Sequence, residues 1–198
     1  MFGPIRSLYS LRPGAPLVLL AGVGSVTLMF TATPFLIAEI ADRFGVTEGM
    51  AGGISVVQVG AFALVNVVVP RLAAPSGKVL RWSALSFFVL NLASVVAGSF
   101  WLLVAFRLLA GAAAGAITWV AWSDAMREPR ALTAVSAVGP VIAMVGAPLV
   151  SASAAGGVGA IYGVLAAAAL PGLALRLQSD GGLRKRSEVS RSRSNRVL

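Results

Sequence analysis

Long apolar runs, separated by short connections that contain glycine, proline, serine or charged residues, make up most of the chain. Each run is close to the roughly 20 residues with which an α-helix crosses the hydrocarbon core of a bilayer. The runs cover residues 15–40, 50–69, 79–97, 100–123, 131–153 and 157–177. The pattern therefore predicts an all-α integral membrane protein, with six transmembrane helices in one domain over residues 15–177.

Basic residues precede the first run, as they do in a signal peptide: Arg6 and Arg12. Signal peptides have an apolar core of about 7–15 residues and a small-residue cleavage site. This run continues to Ile40 without a clear cleavage site, so we interpret it as an uncleaved first helix. Segment 1–14 is predicted to be cytoplasmic. The basic, serine-rich tail 178–198 is predicted to be disordered, either as a solvated topology anchor or as a contact for anionic lipid headgroups.

Composition supports a membrane location, because 58% of the 198 residues are hydrophobic and 12% are charged. Soluble domains carry about 25% charged residues, and a soluble fold of this size could not bury so much apolar surface. Cysteine and histidine are absent, which excludes Cys/His zinc sites, histidine-ligated haem and Ser-His or Cys-His catalytic pairs. The seven acidic residues avoid the middle of the runs. We therefore expect no metal, no cofactor and no enzymatic activity.

The formal net charge is +9, and a strongly basic chain often binds nucleic acid. Here the basic residues lie between and after the apolar runs, which is a signal of membrane topology. If the N-terminus is cytoplasmic, every lysine and arginine except Arg43 and Arg107 faces the cytoplasm. Both termini are thus predicted to be cytoplasmic, with the lipid bilayer as a partner and nucleic acid excluded. The excess of arginine, alanine, glycine and valine suggests a GC-rich bacterial genome, and hence a bacterial inner membrane.

Three stretches of the chain resemble the major facilitator superfamily. Residues 34–52, PFLIAEIADRFGVTEGMAG, are similar to the end of helix 1 and the start of helix 2 in its bacterial drug and sugar efflux permeases. Arg107 is followed by Gly111 and Gly115 at four-residue spacing, like the fourth-helix motif of that family, and a GxxxG face also lets another backbone approach closely. Gly139 and Pro140 resemble the Gly-Pro motif of the antiporter branch, with a packing kink as the alternative interpretation.

The connection between helices 2 and 3 departs from the family pattern, Gly-x-x-x-Asp-Arg-x-Gly-Arg. Ala74 and Pro75 stand at the aspartate and arginine positions, whereas Gly77 is retained and is followed by the basic Lys78. In the family, the acidic residue belongs to a charge network that locks one conformation. Its replacement argues against ordinary gating by this loop.

The resemblance spans residues 15–177 and implies half of a major facilitator fold, which is a 3+3 inverted repeat of six helices. Family members have two such halves around a midplane site. The implied function is transport of a small-molecule substrate, in the direction of efflux, by alternating access. The second half would come from a homodimer or from another six-helix chain. The alternative is a truncated or accessory membrane protein without transport activity of its own.

Arg107 is the strongest candidate for a functional residue. Charged groups inside a bilayer are costly, so those that occur there usually serve a function. Helix rise places it about 10 Å below the outer surface, at a depth similar to that of polar residues on other helices. In the family, helices 1 and 4 line the cavity, helices 2 and 5 flank it, and helices 3 and 6 lie outside. The residues thereby favoured for substrate contact and translocation are Thr27, Thr31, Gln58 and Arg107, over Asn91 and Tyr162.

Each of these candidates also has a simpler interpretation. Arg107 is compatible with a side chain that extends to the outer headgroups, and Gln58 with a hydrogen bond between helices. Trp119 is either an interfacial anchor or a residue that stacks on substrate. No carboxylate lies deep in helix 1, so a site built on arginine favours an anionic or neutral polar substrate.

Overall fold

The structure, a computed structural model, describes residues 14–174, and every regular element in that range is an α-helix. The helices are α1 Leu17–Phe44, α2 Glu48–Leu72, α3 Gly77–Val95, α4 Phe100–Ala125, α5 Pro129–Ala154 and α6 Gly157–Ala174. All six are long and apolar enough to cross a membrane. The predicted all-α architecture with six long apolar helices is therefore confirmed, and it suggests a multi-pass membrane protein. Most of the predicted segment 1–14 and the whole tail 178–198 lie outside the described residues.

Local signals explain where several helices begin and end. At the start of α2, α3 and α4, the hydroxyl of an N-cap residue accepts a hydrogen bond from the backbone N–H three residues later: Thr47 from Met50 at 3.2 Å, Ser76 from Val79 at 3.3 Å and Ser99 from Leu102 at 3.3 Å. Such caps satisfy N–H groups that have no partner within the helix. Gly45 ends α1 in the left-handed conformation, with φ of 62°, which glycine adopts without a steric penalty.

The two central helices, α1 and α4, pack against each other and each packs against α2 and α5, while α4 also packs against α3. Helix α6 lies against α1, where Ser25 Oγ donates to the Ala168 carbonyl at 2.7 Å. The list of helix pairs in contact stays the same if α1, α2 and α3 are relabelled as α4, α5 and α6, and the reverse. The α1–α5 contact then becomes α4–α2, and α1–α6 becomes α4–α3.

Glycine creates the closest helix contact, which joins α2 and α4. A Cβ atom on Gly111 would collide with the backbone carbonyl of Gln58, and one on Gly115 would lie 2.7 Å from the Phe62 carbonyl oxygen. Both pairs repeat at four-residue spacing, so two glycines of α4 meet two consecutive turns of α2. The structure thus places the GxxxG face where a close backbone approach requires it.

Replacing Gly111 with alanine should destabilise the bundle, because the added methyl group has only rigid backbone to displace. We expect the free energy of unfolding to fall by about 1–3 kcal/mol, measured by chemical denaturation in nanodiscs. Gly60→Ala is the matched control, since a Cβ on Gly60 of α2 would meet nothing within 4 Å. Equal losses for the two variants would contradict the proposed α2–α4 contact.

Candidate functional site

Arg107 is the largest of the fully buried side chains, with 1% of its surface exposed. It lies on α4 and directs its guanidinium at the C-terminal end of α3. One terminal nitrogen donates to Asn91 Oδ1 at 3.0 Å. The other donates to the Leu90 carbonyl at 3.0 Å and to Ser94 Oγ at 2.7 Å. The guanidinium therefore binds three oxygens in the last two turns of α3.

The C-terminal end of α3 presents oxygen atoms that can accept hydrogen bonds from a cation. Asn91 donates its amide nitrogen to the Phe87 carbonyl at 2.7 Å, which turns Oδ1 toward Arg107. Ser94 donates to the Leu90 carbonyl at 2.7 Å, which leaves its oxygen free to accept. A helix C-terminus also carries partial negative charge that favours a cation. The sequence of α3 thus supplies neutral oxygens and a favourable dipole at one place.

Two further contacts complete this cluster at the C-terminal end of α3. The guanidinium carbon of Arg107 lies 4.5 Å from the ring centroid of Tyr162 on α6, as a cation–π contact. Arg43, in the last turn of α1, donates to the carbonyls of Val95 at 3.2 Å and Ala97 at 2.9 Å. The end of α3 is therefore held by cations from both central helices, and Arg107 connects α3, α4 and α6.

These contacts decide between the interpretations of Arg107. Its head group is enclosed by α3 and α6, so it does not extend to the outer headgroups. All the partners that the described residues give to its guanidinium are neutral. Arginine in membrane helices commonly pairs with backbone carbonyls or with other polar groups of the protein in this way.

Among the described residues, the guanidinium of Arg107 forms no hydrogen bond with Thr27, Thr31 or Gln58. Gln58 lies against Gly111, one turn from Arg107 on the same face of α4. The partners of Arg107 include Asn91 and Tyr162, which the helix arrangement of the family disfavours as substrate contacts. A signal was present: Asn91 and Ser94 share one face of α3 at the depth of Arg107, and both are buried.

Thr27 and Thr31 lie on a different surface, between the sides of α1 that contact α2 and α5. Phe30 marks the α2 side, with its ring 5.2 Å from that of Phe62. Gly24 marks the α5 side, where a Cβ would lie 3.3 Å from Ile142. Thr27 and Thr31 are half-buried, and the Thr31 hydroxyl donates to the Thr27 carbonyl at 3.0 Å.

A matching strip runs along α4, beside the Gly111 side that contacts α2. Together the two strips form what we name the open face, which is bounded by α2 and α5. It comprises Thr27, Thr31, Pro34 and Ala38 of α1 with Ala105, Leu108, Ala112 and Ala116 of α4, all of them half-buried or exposed. The threonine hydroxyls are its polar side-chain groups, and it carries no charge.

The remaining candidates lie at the edges of this arrangement. Gln58 is buried at the α2–α4 contact and Trp119 is buried toward the C-terminal end of α4, with 5% and 8% of their surfaces exposed. A Cβ on Gly139 of α5 would lie 3.9 Å from Thr27 Oγ1, whereas Pro140 is exposed. Gly77 is the first residue of α3.

Comparison of the chain with protein-family models, with curated proteins and with solved structures finds no match. Functional arguments for this chain therefore rest on the geometry of its own residues.

Replacing Arg107 with lysine should destabilise the protein, because one ammonium group cannot reach the same three oxygens while lying flat on the Tyr162 ring. We expect the free energy of unfolding to fall by about 2 kcal/mol, measured by chemical denaturation in nanodiscs. Arg71→Lys is the control, since Arg71 is exposed in the last turn of α2. The assigned contacts would be wrong if Arg107→Lys were as stable as this control.

Proposed function

We propose that this chain transports a small solute across the bacterial inner membrane, in the direction of efflux, as one half of a transporter of the major facilitator type. The observation that carries the proposal is the open face. It is shared by the two central helices and flanked by α2 and α5, and the contacts behind it follow a 3+3 exchange pattern. A second six-helix unit over this face would enclose a path between the two units, and alternating access would open that path to each side in turn.

Within this proposal, Thr27 and Thr31 offer hydroxyl groups to the solute, with Gln58 and Trp119 at the margins of the path. Arg107 acts indirectly, because its guanidinium is committed to α3 and α6. It is a positioning residue that fixes the rotation of α4. The open face carries no charge, so we favour a neutral solute. An anionic substrate is no longer favoured, because Arg107, which would have bound it, lies outside the proposed path.

The exposed apolar sides of α2 and α5 support a partner unit. Large apolar side chains lie exposed along both helices, among them Val56 and Leu64 of α2 and Met144 and Val145 of α5. In a bilayer such surfaces contact either lipid or another protein. The partner in this proposal is a second copy of the chain or a different six-helix chain.

The chain contains no cysteine, so single cysteines can test whether the open face lines an aqueous path. Thr31→Cys should react with a water-soluble methanethiosulfonate reagent in membrane vesicles, because the thiolate that reacts forms in water. Val89→Cys on the exposed side of α3 is the control and should react far more slowly. Equal, slow reaction at both positions would place the open face in lipid and overturn the proposed path.

The predicted orientation is tested by the same approach in intact cells. Gly98→Cys, in the connection between α3 and α4, should be labelled by a membrane-impermeant maleimide. Ala74→Cys, in the connection between α2 and α3, should be labelled only after the cells are permeabilised. The reverse pattern would invert the topology that the positive-inside rule predicts.

A second candidate function, an accessory or truncated protein without transport, is favoured by one feature. The connection over residues 73–76 contains no acidic residue, whereas the family loop has an aspartate that takes part in gating. In that case the open face is covered by lipid or by a partner that does not transport, and Thr31→Cys stays unreactive.

A further inference from the structure

Two buried polar groups on side chains that contact each other in the arginine cluster have no hydrogen-bond partner among the described residues: Nε of Arg107 and Oη of Tyr162. Arg107 is 1% exposed and Tyr162 is 0% exposed. Leaving a buried donor unpaired costs about 1–3 kcal/mol, so each of these groups calls for a partner. Arginine Nε donates only, and the tyrosine hydroxyl is able to donate as well. The cluster therefore lacks an acceptor that both groups could share.

The positive charge of the cluster also favours an acceptor that is an anion. Arg107 is bound only to neutral groups, and Arg43 brings a second cation to the same end of α3. The acidic residues near this end are Glu39 and Asp42 of α1. Glu39 Oε2 lies 3.7 Å from the position that a Cβ on Gly157 would take, and neither carboxylate is bonded to Arg107. A positive charge inside the hydrocarbon region is thus left without a counter-ion.

We propose that a small monovalent anion of the chloride type binds between Arg107 Nε and Tyr162 Oη. The guanidinium lies over the tyrosine ring, with 4.5 Å between its carbon and the ring centroid. The two unpaired groups therefore belong to side chains that are in contact with each other. Enclosure by α3, α4 and α6 favours a monatomic ion over a bulkier oxyanion. The site lies behind the open face, so this inference does not depend on transport.

Thermal unfolding of the purified protein in nanodiscs tests the site. Unfolding is monitored by the fluorescence of the four tryptophans of the protein. Sodium chloride and sodium bromide are compared with sodium gluconate at equal ionic strength. A ligand that binds only the folded state raises Tm as its concentration exceeds Kd. At ten times Kd we expect a rise of about 3–6 °C over gluconate.

Two variants assign the effect to this site. Tyr162→Phe keeps the ring on the guanidinium and removes Oη, so the difference between chloride and gluconate should fall below half of the wild-type value. In gluconate its Tm should equal or exceed that of the wild type, because an unpaired buried group is gone. Arg71→Gln is the control, since Arg71 is exposed in the last turn of α2, outside the arginine cluster. It should retain the full chloride effect.

Crystals of the wild type grown in bromide give a second measurement that does not depend on the variants. The inference predicts an anomalous peak between Arg107 Nε and Tyr162 Oη. It is overturned if the wild type shows no difference among the salts and no such peak, which would leave water or nothing at the site. It is also overturned if Arg71→Gln loses the effect while Tyr162→Phe keeps it.

Discussion

A bilayer imposes the constraint on which the rest of this structure depends, because a polar group in hydrocarbon must find its partners inside the protein. Arg107 is the hardest group to accommodate, and it is accommodated by three oxygens of α3 and the ring of Tyr162. Arg43 completes the same helix end from α1. Hydrogen bonds from two arginines to neutral oxygens therefore hold the C-terminal end of α3.

Fixing Arg107 on α3 also fixes the rotation of α4, and with it the use of each side of that helix. The face that carries Arg107, Gly111 and Gly115 binds α3 and α6 through the arginine and meets the backbone of α2 through the glycines, while the Ala112 side remains open. On α1, Ser25 reaches α6 while Thr31 lies on the open face. The proposed path thus depends on an arginine that it does not contain.

The sequence alone predicted the six helices, because the thickness of the bilayer sets the length of the apolar run that each helix needs. It also anticipated the close approach at Gly111, because the GxxxG spacing is local in sequence. It did not predict the partners of Arg107. Depth can be counted along a helix, but the direction of a side chain depends on how the helix is rotated by its neighbours. Helix ends also differed, as α1 extends past residue 40 to Phe44, where polar residues leave the hydrocarbon core.

The central claim is that this six-helix bundle is one half of a larger transport unit. Native mass spectrometry of the protein purified in lipid nanodiscs tests it most directly. The account predicts a complex of two six-helix units, either a dimer of the 20.2 kDa chain or this chain with a second six-helix protein. A strict monomer at all protein concentrations would contradict it, and would leave an accessory or truncated membrane protein as the better explanation of the open face.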